Sequence, residues 1–158
     1  MMILYQIYGG FLMDYEIVEL NEKTVVGLSN VTSNNDPNMG AIIGALWSNF
    51  YGDGIAESVK NKLNQYAIGL YSDYEGDQYS VTVGSEVSKA ENQGLSVKQI
   101  PAGKYAKFQI HGHMQKAVAE AWEKIWSMDL DRSFTGDFEE YLNTDFEHAD
   151  INIYIALK

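Results

Sequence analysis

Two glutamates stand between aromatic residues in the run Asp137-Phe138-Glu139-Glu140-Tyr141. A segment this short and this aromatic reads as a strand. Alternation then sets Glu139 and Tyr141 on one face and Phe138 and Glu140 on the other. A carboxylate desolvated among aromatic rings can do two things. It can pair with an incoming cation, to which each Trp or Tyr face adds about 0.5 to 2 kcal/mol by cation–π attraction. With a pKa raised by burial it could also act as a base or nucleophile, a tyrosine serving as hydrogen-bond donor. Alternation alone does not choose between the two glutamates, nor exclude an edge strand with both in solvent.

The aromatic supply is ample. Trp47, Trp122 and Trp126 fall on helical stripes, a pattern that serves a core as readily as a pocket. Tyr51, Tyr105 and Tyr154 are secondary candidates for a cavity wall. Eleven tyrosines against six phenylalanines suit a half-polar cavity, because each phenol brings a flat apolar face and a hydroxyl that needs a partner. His111 and His113 are spaced as metal ligands, yet no third ligand is identified by spacing, so no metal or other cofactor is expected. No serine, cysteine or histidine constellation points to ordinary ester or peptide hydrolysis.

Positioning such a site requires a sizeable core. The 158 residues, 46% apolar and 21% charged, fit one domain or two small halves sharing a core. The net charge of −11 repels polyphosphate and attracts cations, so direct nucleic-acid binding is not expected. The absence of cysteine leaves no disulfide framework and suits a reducing cytoplasm. The opening stretch through Met13 is apolar but lacks a basic start and a cleavage site, and it is too short to span a bilayer; no signal or membrane segment is expected. Tyr8-Gly9-Gly10-Phe11-Leu12-Met13 can be encoded by a ribosome-binding sequence, a spacer and a start codon. Residues 1–12 are therefore expected to be a translated leader, with an extra edge strand at Ile3 to Tyr8 as the alternative.

From residue 13 onward the pattern is one domain. Tyr15 to Leu20 and Val25 to Val31 read as strands, and Asp36-Pro37 opens a helix carrying Leu46, Trp47 and Phe50. Ile55 to Leu63 reads as a second short helix, followed by strands at Ala67 to Tyr71 and Tyr79 to Val87. After a polar connector, Ser96 to Ile100 and Lys104 to Ile110 are strands, a helix carries Val118, Trp122, Ile125 and Trp126, and Phe138 to Leu142 and Ile151 to Leu157 close the chain. The order repeats, with repeat one at 13–88, connector 89–94 and repeat two at 95–158. Leu20 falls on Ile100 and Leu28 on Phe108 at an offset of 80, Leu46-Trp47-Ser48 on Ile125-Trp126-Ser127 at 79, and Val81-Thr82-Val83 on Ile151-Asn152-Ile153 at 70. Two strand-helix-strand-strand units about a pseudo-twofold would form an α+β fold with a central cleft. Tyr71, Tyr74 and Glu75 in YSDYEGD then lie opposite DFEEY, near that cleft.

The segments TVVGLSNVTSNNDPNMGAIIGALWSNFY, YSDYEGDQYSVTVGSEV, IPAGKYAKFQIHG, the Trp-rich helix, DFEEY and DINIYIALK occur in the order found in integron-associated effector-binding proteins. From Asp14 to Lys158 the chain resembles that family, within the GyrI-like and AraC-type effector-binding superfamily. The resemblance implies a duplicated, SHS2-like α+β fold with antiparallel sheets, helices packed on them and a cleft for small, often cationic and aromatic molecules. The family's Phe-Glu-x-Tyr pattern falls on Phe138, Glu139 and Tyr141, which selects Glu139 as the acid. The expected function is a stand-alone small-molecule binding protein that senses or sequesters drugs in transcriptional regulation. A hydrolase of reactive electrophiles using the same glutamate, or a gyrase-inhibitor-like protein, is the alternative. Direct contact with DNA is not expected, since nothing basic or helix-turn-helix-like precedes Asp14. A regulator or gyrase as protein partner is left unassigned.

Overall fold

The computed structural model describes residues 2–8, 11–91 and 94–158, with side chains from Met13 onward. Nine strands and three helices follow in the order β1 (Met2–Tyr8), β2 (Phe11–Leu20), β3 (Lys23–Ser33), α1 (Met39–Gly52), α2 (Ile55–Ser58), β4 (Ala67–Glu75), β5 (Gln78–Val87), β6 (Ser96–Ile100), β7 (Gly103–Gly112), α3 (Met114–Ser127), β8 (Asp137–Tyr141) and β9 (Ala149–Ala156). All strands join one antiparallel sheet in the order β1-β2-β7-β9-β8-β4-β5-β3-β6. β1 pairs along β2 at one edge, Met2 opposite Ile17 and Tyr8 opposite Phe11.

Without β1 the order is a palindrome under exchange of the halves: β2 with β6, β3 with β7, β4 with β8, β5 with β9. The registers repeat as well. Leu28 pairs Val83 in the first half and Phe108 pairs Ile153 in the second, the same pairs that the offsets of 80 and 70 relate. Likewise Lys23 pairs Ile100, and Leu20 pairs Gly103. The duplication with pseudo-twofold symmetry expected from sequence is therefore present, with the axis between the adjacent central strands β4 and β8.

The helices obey a different offset from the one the sequence overlay gives. α1 and α3 each have 14 residues, starting at Met39 and Met114. Aligning the starts matches buried Leu46 with buried Ala121 and buried Phe50 with buried Ile125. The partner of Trp47 is then Trp122, not Trp126. Repeated Leu-Trp-Ser and Ile-Trp-Ser triplets suggest the other match, but burial follows helix phase relative to the sheet. The expected second helix is also shorter than the sequence suggests. It stops at Ser58, where Val59 turns extended and Asn61 takes a left-handed conformation, φ 63°. Residues 61–63 are instead tied to β5, Leu63 N–H donating to Glu86 O and Ser88 N–H to Asn61 O.

Each half packs its helix on the same face of the sheet. α1 covers Val26, Val81 and Val83, and α3 covers Phe108, Ile151, Ile153 and Ile155. On the opposite face the sheet curls, so that Ile100 of β6 and Val18 and Leu20 of β2 join one cluster with Ile68, Leu70, Tyr105, Phe138 and Tyr154. A strongly twisted sheet of this length buries its second face by such curling. Among the described residues, no helix is long and apolar enough to cross a membrane. The cleft lies on the helix side, between α1 and α3 and over the β4–β8 seam.

Candidate functional site

β4 and β8 are central strands, and alternation along them decides what faces the helices. Ile68, Leu70 and Phe138 point to the closed back face; Gly69, Tyr71 and Glu139 point into the cleft. Glu139 is only 2% exposed. Three neutral donors hold it. Tyr141 Oη–H donates to Oε1 at 2.6 Å, Tyr71 Oη–H to Oε2 at 3.0 Å, and Trp122 Nε1–H to Oε2 at 2.7 Å. These donors favour the ionised carboxylate, but burial outweighs them and moves its pKa above the ordinary carboxylate value. Burial, followed by the nearby carboxylate, pushes the Tyr71 and Tyr141 hydroxyls well above the usual phenol value, so both stay protonated as donors.

The rings around Glu139 form a symmetric set. The edge-on contact between Trp47 and Tyr141, with centroids 4.9 Å apart at 77°, has its pseudo-twofold copy in Tyr71 and Trp122, at 5.4 Å and 75°. The glutamate itself has no copy. Its cross-strand partner on the axis is Gly69. A Cβ placed on Gly69 would stand 3.0 Å from Glu139 Oε1 and 3.3 Å from Trp47 Cζ2, so the missing side chain is what gives the carboxylate its space.

Two cavities open from this centre. The first, of about 870 Å³, is lined by Glu139, Trp47, Tyr51, Tyr141, Met114 and Phe146, with Gly40 and Gly44 of α1 at its wall. The second, of about 760 Å³, is lined by Tyr74, Tyr79, Trp122, Trp126, Arg132 and Phe134. Ile43, Tyr71 and Ala119 line both, which makes them two lobes of one cleft. A carboxylate with only neutral donors, set among ring faces and apolar methionine, can accept a positive charge and leaves room for a flat organic body.

The expected site residues divide by face. Glu139, Tyr141, Trp47, Tyr71, Tyr74, Trp122 and Trp126 line the cleft, Trp126 with 55% of its surface exposed. Tyr105 and Tyr154 are buried on the back face, where Tyr105 donates to Pro101 O at 2.6 Å and Tyr154 to Glu140 Oε1 at 3.5 Å. Glu75 is exposed at the end of β4 and lines neither lobe. His111 lies 2.6 Å from Asp150 and His113 caps α3, its Nδ1 accepting from Lys116 N–H at 3.4 Å.

Sequence reasoning passes over Gly69, Gly44, Arg132 and Phe134. Gly69 is legible in retrospect, since the offset of 70 between the paired strands sets it on Glu139. Arg132 carries another signal: it is the chain's single arginine, and it stands just before DFEEY.

The family model of integron-associated effector binding proteins matches residues 16–157. The chain is similar to an integron cassette protein from the mobile metagenome of Vibrio cholerae, at 24% identity and TM-score 0.74, covering 99% of each chain. It is similar to SAV2435, solved bound to tetraphenylphosphonium, at 18% identity and TM-score 0.79, covering 92% of this chain and 94% of that one. The C-terminal domain of EcmrR is a third structural relative, at 15% identity and TM-score 0.59, covering 98% of each chain. No curated protein matches the chain.

Proposed function

This chain belongs to the integron-associated effector-binding proteins, and from that premise we propose that it binds aromatic organic cations in the cleft between α1 and α3, with Glu139 as the counter-charge. The observation that carries this reading is the buried Glu139 carboxylate, held by Tyr71, Trp122 and Tyr141 and open to a lobe of about 870 Å³. A cation entering there meets a carboxylate that water screens weakly, and the rings of Trp47 and Tyr141 flank its path. The phosphonium bound by SAV2435 belongs to the chemical class that this lobe fits. Occupancy then senses or sequesters such compounds in a regulatory setting.

Tryptophan fluorescence tests the reading, because Trp47 and Trp122 stand at the site. Tetraphenylphosphonium is expected to quench the wild-type protein saturably and to bind Glu139→Gln at least about tenfold more weakly, the loss of a desolvated charge pair. Equal affinity for the two proteins, or no saturable quenching of the wild type, overturns it.

A further inference from the structure

Aromatic rings run through the second lobe in one unbroken arc. Phe134, Tyr74, Tyr79, Tyr71, Trp122 and Trp126 follow one another with centroids 5.7, 6.0, 5.8, 5.4 and 6.2 Å apart, and all of them line the cavity. The middle of the arc is closed and its ends are open: Tyr79 and Trp122 are buried, whereas Phe134 keeps 52% of its surface exposed and Trp126 55%. The phenol hydroxyls are engaged. Tyr71 donates to Glu139 at 3.0 Å, Tyr74 to Asp137 at 2.6 Å and Tyr79 to Asn34 Oδ1 at 2.6 Å, so these rings present mainly carbon faces and edges. At the open end Phe134 takes φ 55°, in the left-handed region that a bulky side chain rarely enters. Such a conformation persists where the surroundings over-determine it, and ligand clamps are among the places where it clusters. Here the Arg132 guanidinium, 4.3 Å over the ring, and Tyr74, edge-on to it, fix Phe134 at the wall.

Charge narrows what such an arc can hold. The charged residues lining this lobe are Asp77, Glu123 and Arg132. Arg132 is neutralised by the fully buried Asp137 at 2.7 Å, while Asp77 and Glu123 are exposed. The balance at the wall is negative. An anion is repelled there, and a neutral group gains nothing from the two carboxylates. A compact organic cation meets ring surface on several sides and acidic groups at the wall, the combination by which aromatic cages take quaternary ammonium groups. Because Ile43, Tyr71 and Ala119 line both lobes, one molecule can reach from one lobe into the other.

We propose that the second lobe is an aromatic cage for a quaternary ammonium group, so that the preferred ligands are dications with one centre beside Glu139 and the other within the arc from Phe134 to Trp126. This inference rests on the cation reading of Glu139 and adds a second charged centre to the ligand.

The test is calorimetric titration of the full chain with a matched pair of N-alkylquinolinium salts. One carries trimethylammonium at the far end of its chain; the other carries tert-butyl there, equal in shape but without the second charge. The dication is expected to bind the wild type at least about tenfold more tightly, as attraction to several rings would give. Lengthening the chain by two methylenes at a time is expected to bring this advantage to a maximum at one length, because the two sites have a fixed span. General attraction to a chain of net charge −11 has no such optimum. Trp126→Leu and Phe134→Leu keep apolar bulk at exposed positions and remove a ring, and each is expected to lower the ratio of the two affinities by about threefold or more, whatever happens to the affinities themselves. Equal affinities on the wild type, an advantage indifferent to chain length, or a ratio unchanged in both variants overturns the second site. Glu139→Gln separates this failure from that of the first reading. If both salts weaken there and the wild type prefers neither, the second site alone falls; if both bind Glu139→Gln as they bind the wild type, the cation reading falls and the two-centre ligand with it.

Discussion

Gly69 and Glu139 face each other as cross-strand partners on the pseudo-twofold axis, the one position where the two halves meet their own copies. Duplication would put two carboxylates there, and like charges at that distance could not both ionise in a buried site. One half keeps the acid and the other keeps no side chain. Gly69→Ala therefore tests the arrangement directly. Its Cβ would stand 3.0 Å from Glu139 Oε1, an oxygen already held by Tyr141, and 3.3 Å from Trp47. We expect a stability loss of about 1–3 kcal/mol from overpacking, read by urea unfolding, with weaker phosphonium binding. Unchanged values for both would remove Gly69 from the site.

The raised pKa of Glu139 gives a pH dependence with a definite sign. The folded protein holds this proton more tightly than the unfolded chain, so folding stability falls as pH rises from the ordinary value of 4.5 toward the raised one, and then levels. Cation affinity moves the other way, rising through the same window as the carboxylate ionises. Other carboxylates titrate too, so the measurement is the difference between wild type and Glu139→Gln in urea midpoint and in affinity. Parallel profiles for the two proteins would separate Glu139 from both effects.

Trp47 and Trp122 are symmetry copies with different duties. Trp122 donates to the buried carboxylate, whereas Trp47 meets Tyr141 edge-on at the wall of the first lobe. Trp122→Phe removes one of three donors and is expected to cost about 1–3 kcal/mol, and to raise the Glu139 pKa further. Trp47→Phe is expected to cost less in stability and to act mainly on affinity, by about 0.5–2 kcal/mol of cation–π attraction. Chemical unfolding paired with phosphonium titration of each variant separates the two roles. Equal stability losses would contradict the division.

Much of this architecture is written in the spacing of residues. The offsets of 80 and 70 are register statements, because paired strands from two copies must conserve both partners, and Leu28–Val83 with Phe108–Ile153 shows that they do. Alternation correctly groups Glu139 with Tyr141, and the Phe-Glu-x-Tyr pattern selects the acid that the fold turns into the cleft. The helices were less legible. Similar triplets align Trp47 with Trp126, while the phase at which each helix leaves its strand pairs Trp47 with Trp122. Tyr105 and Tyr154 show another limit: a tyrosine in a strand reads the same on either face, and only the curl of the sheet assigns these two to the back. Arg132 lies between α3 and β8, outside any periodic pattern, so only three-dimensional packing reveals its unmatched Nε.

Gly44 offers a way to close the first lobe without touching its chemistry. It sits in mid-helix on α1 at the lobe wall, and a Cβ there would meet nothing within 4 Å. Gly in a helix interior costs about 1 kcal/mol relative to Ala, a cost accepted here where the side chain would project into the cavity. Gly44→Ala is thus expected to raise stability by up to about 1 kcal/mol, with little effect on binding. Gly44→Leu keeps the helix but fills space beside Trp47 and Glu139, so tetraphenylphosphonium affinity should fall by at least about tenfold while a small cation such as tetramethylammonium is less affected. Calorimetric titration of both cations against both variants measures this. If Gly44→Leu weakens the small and large cations equally, the lobe is not where the bulk of the ligand resides.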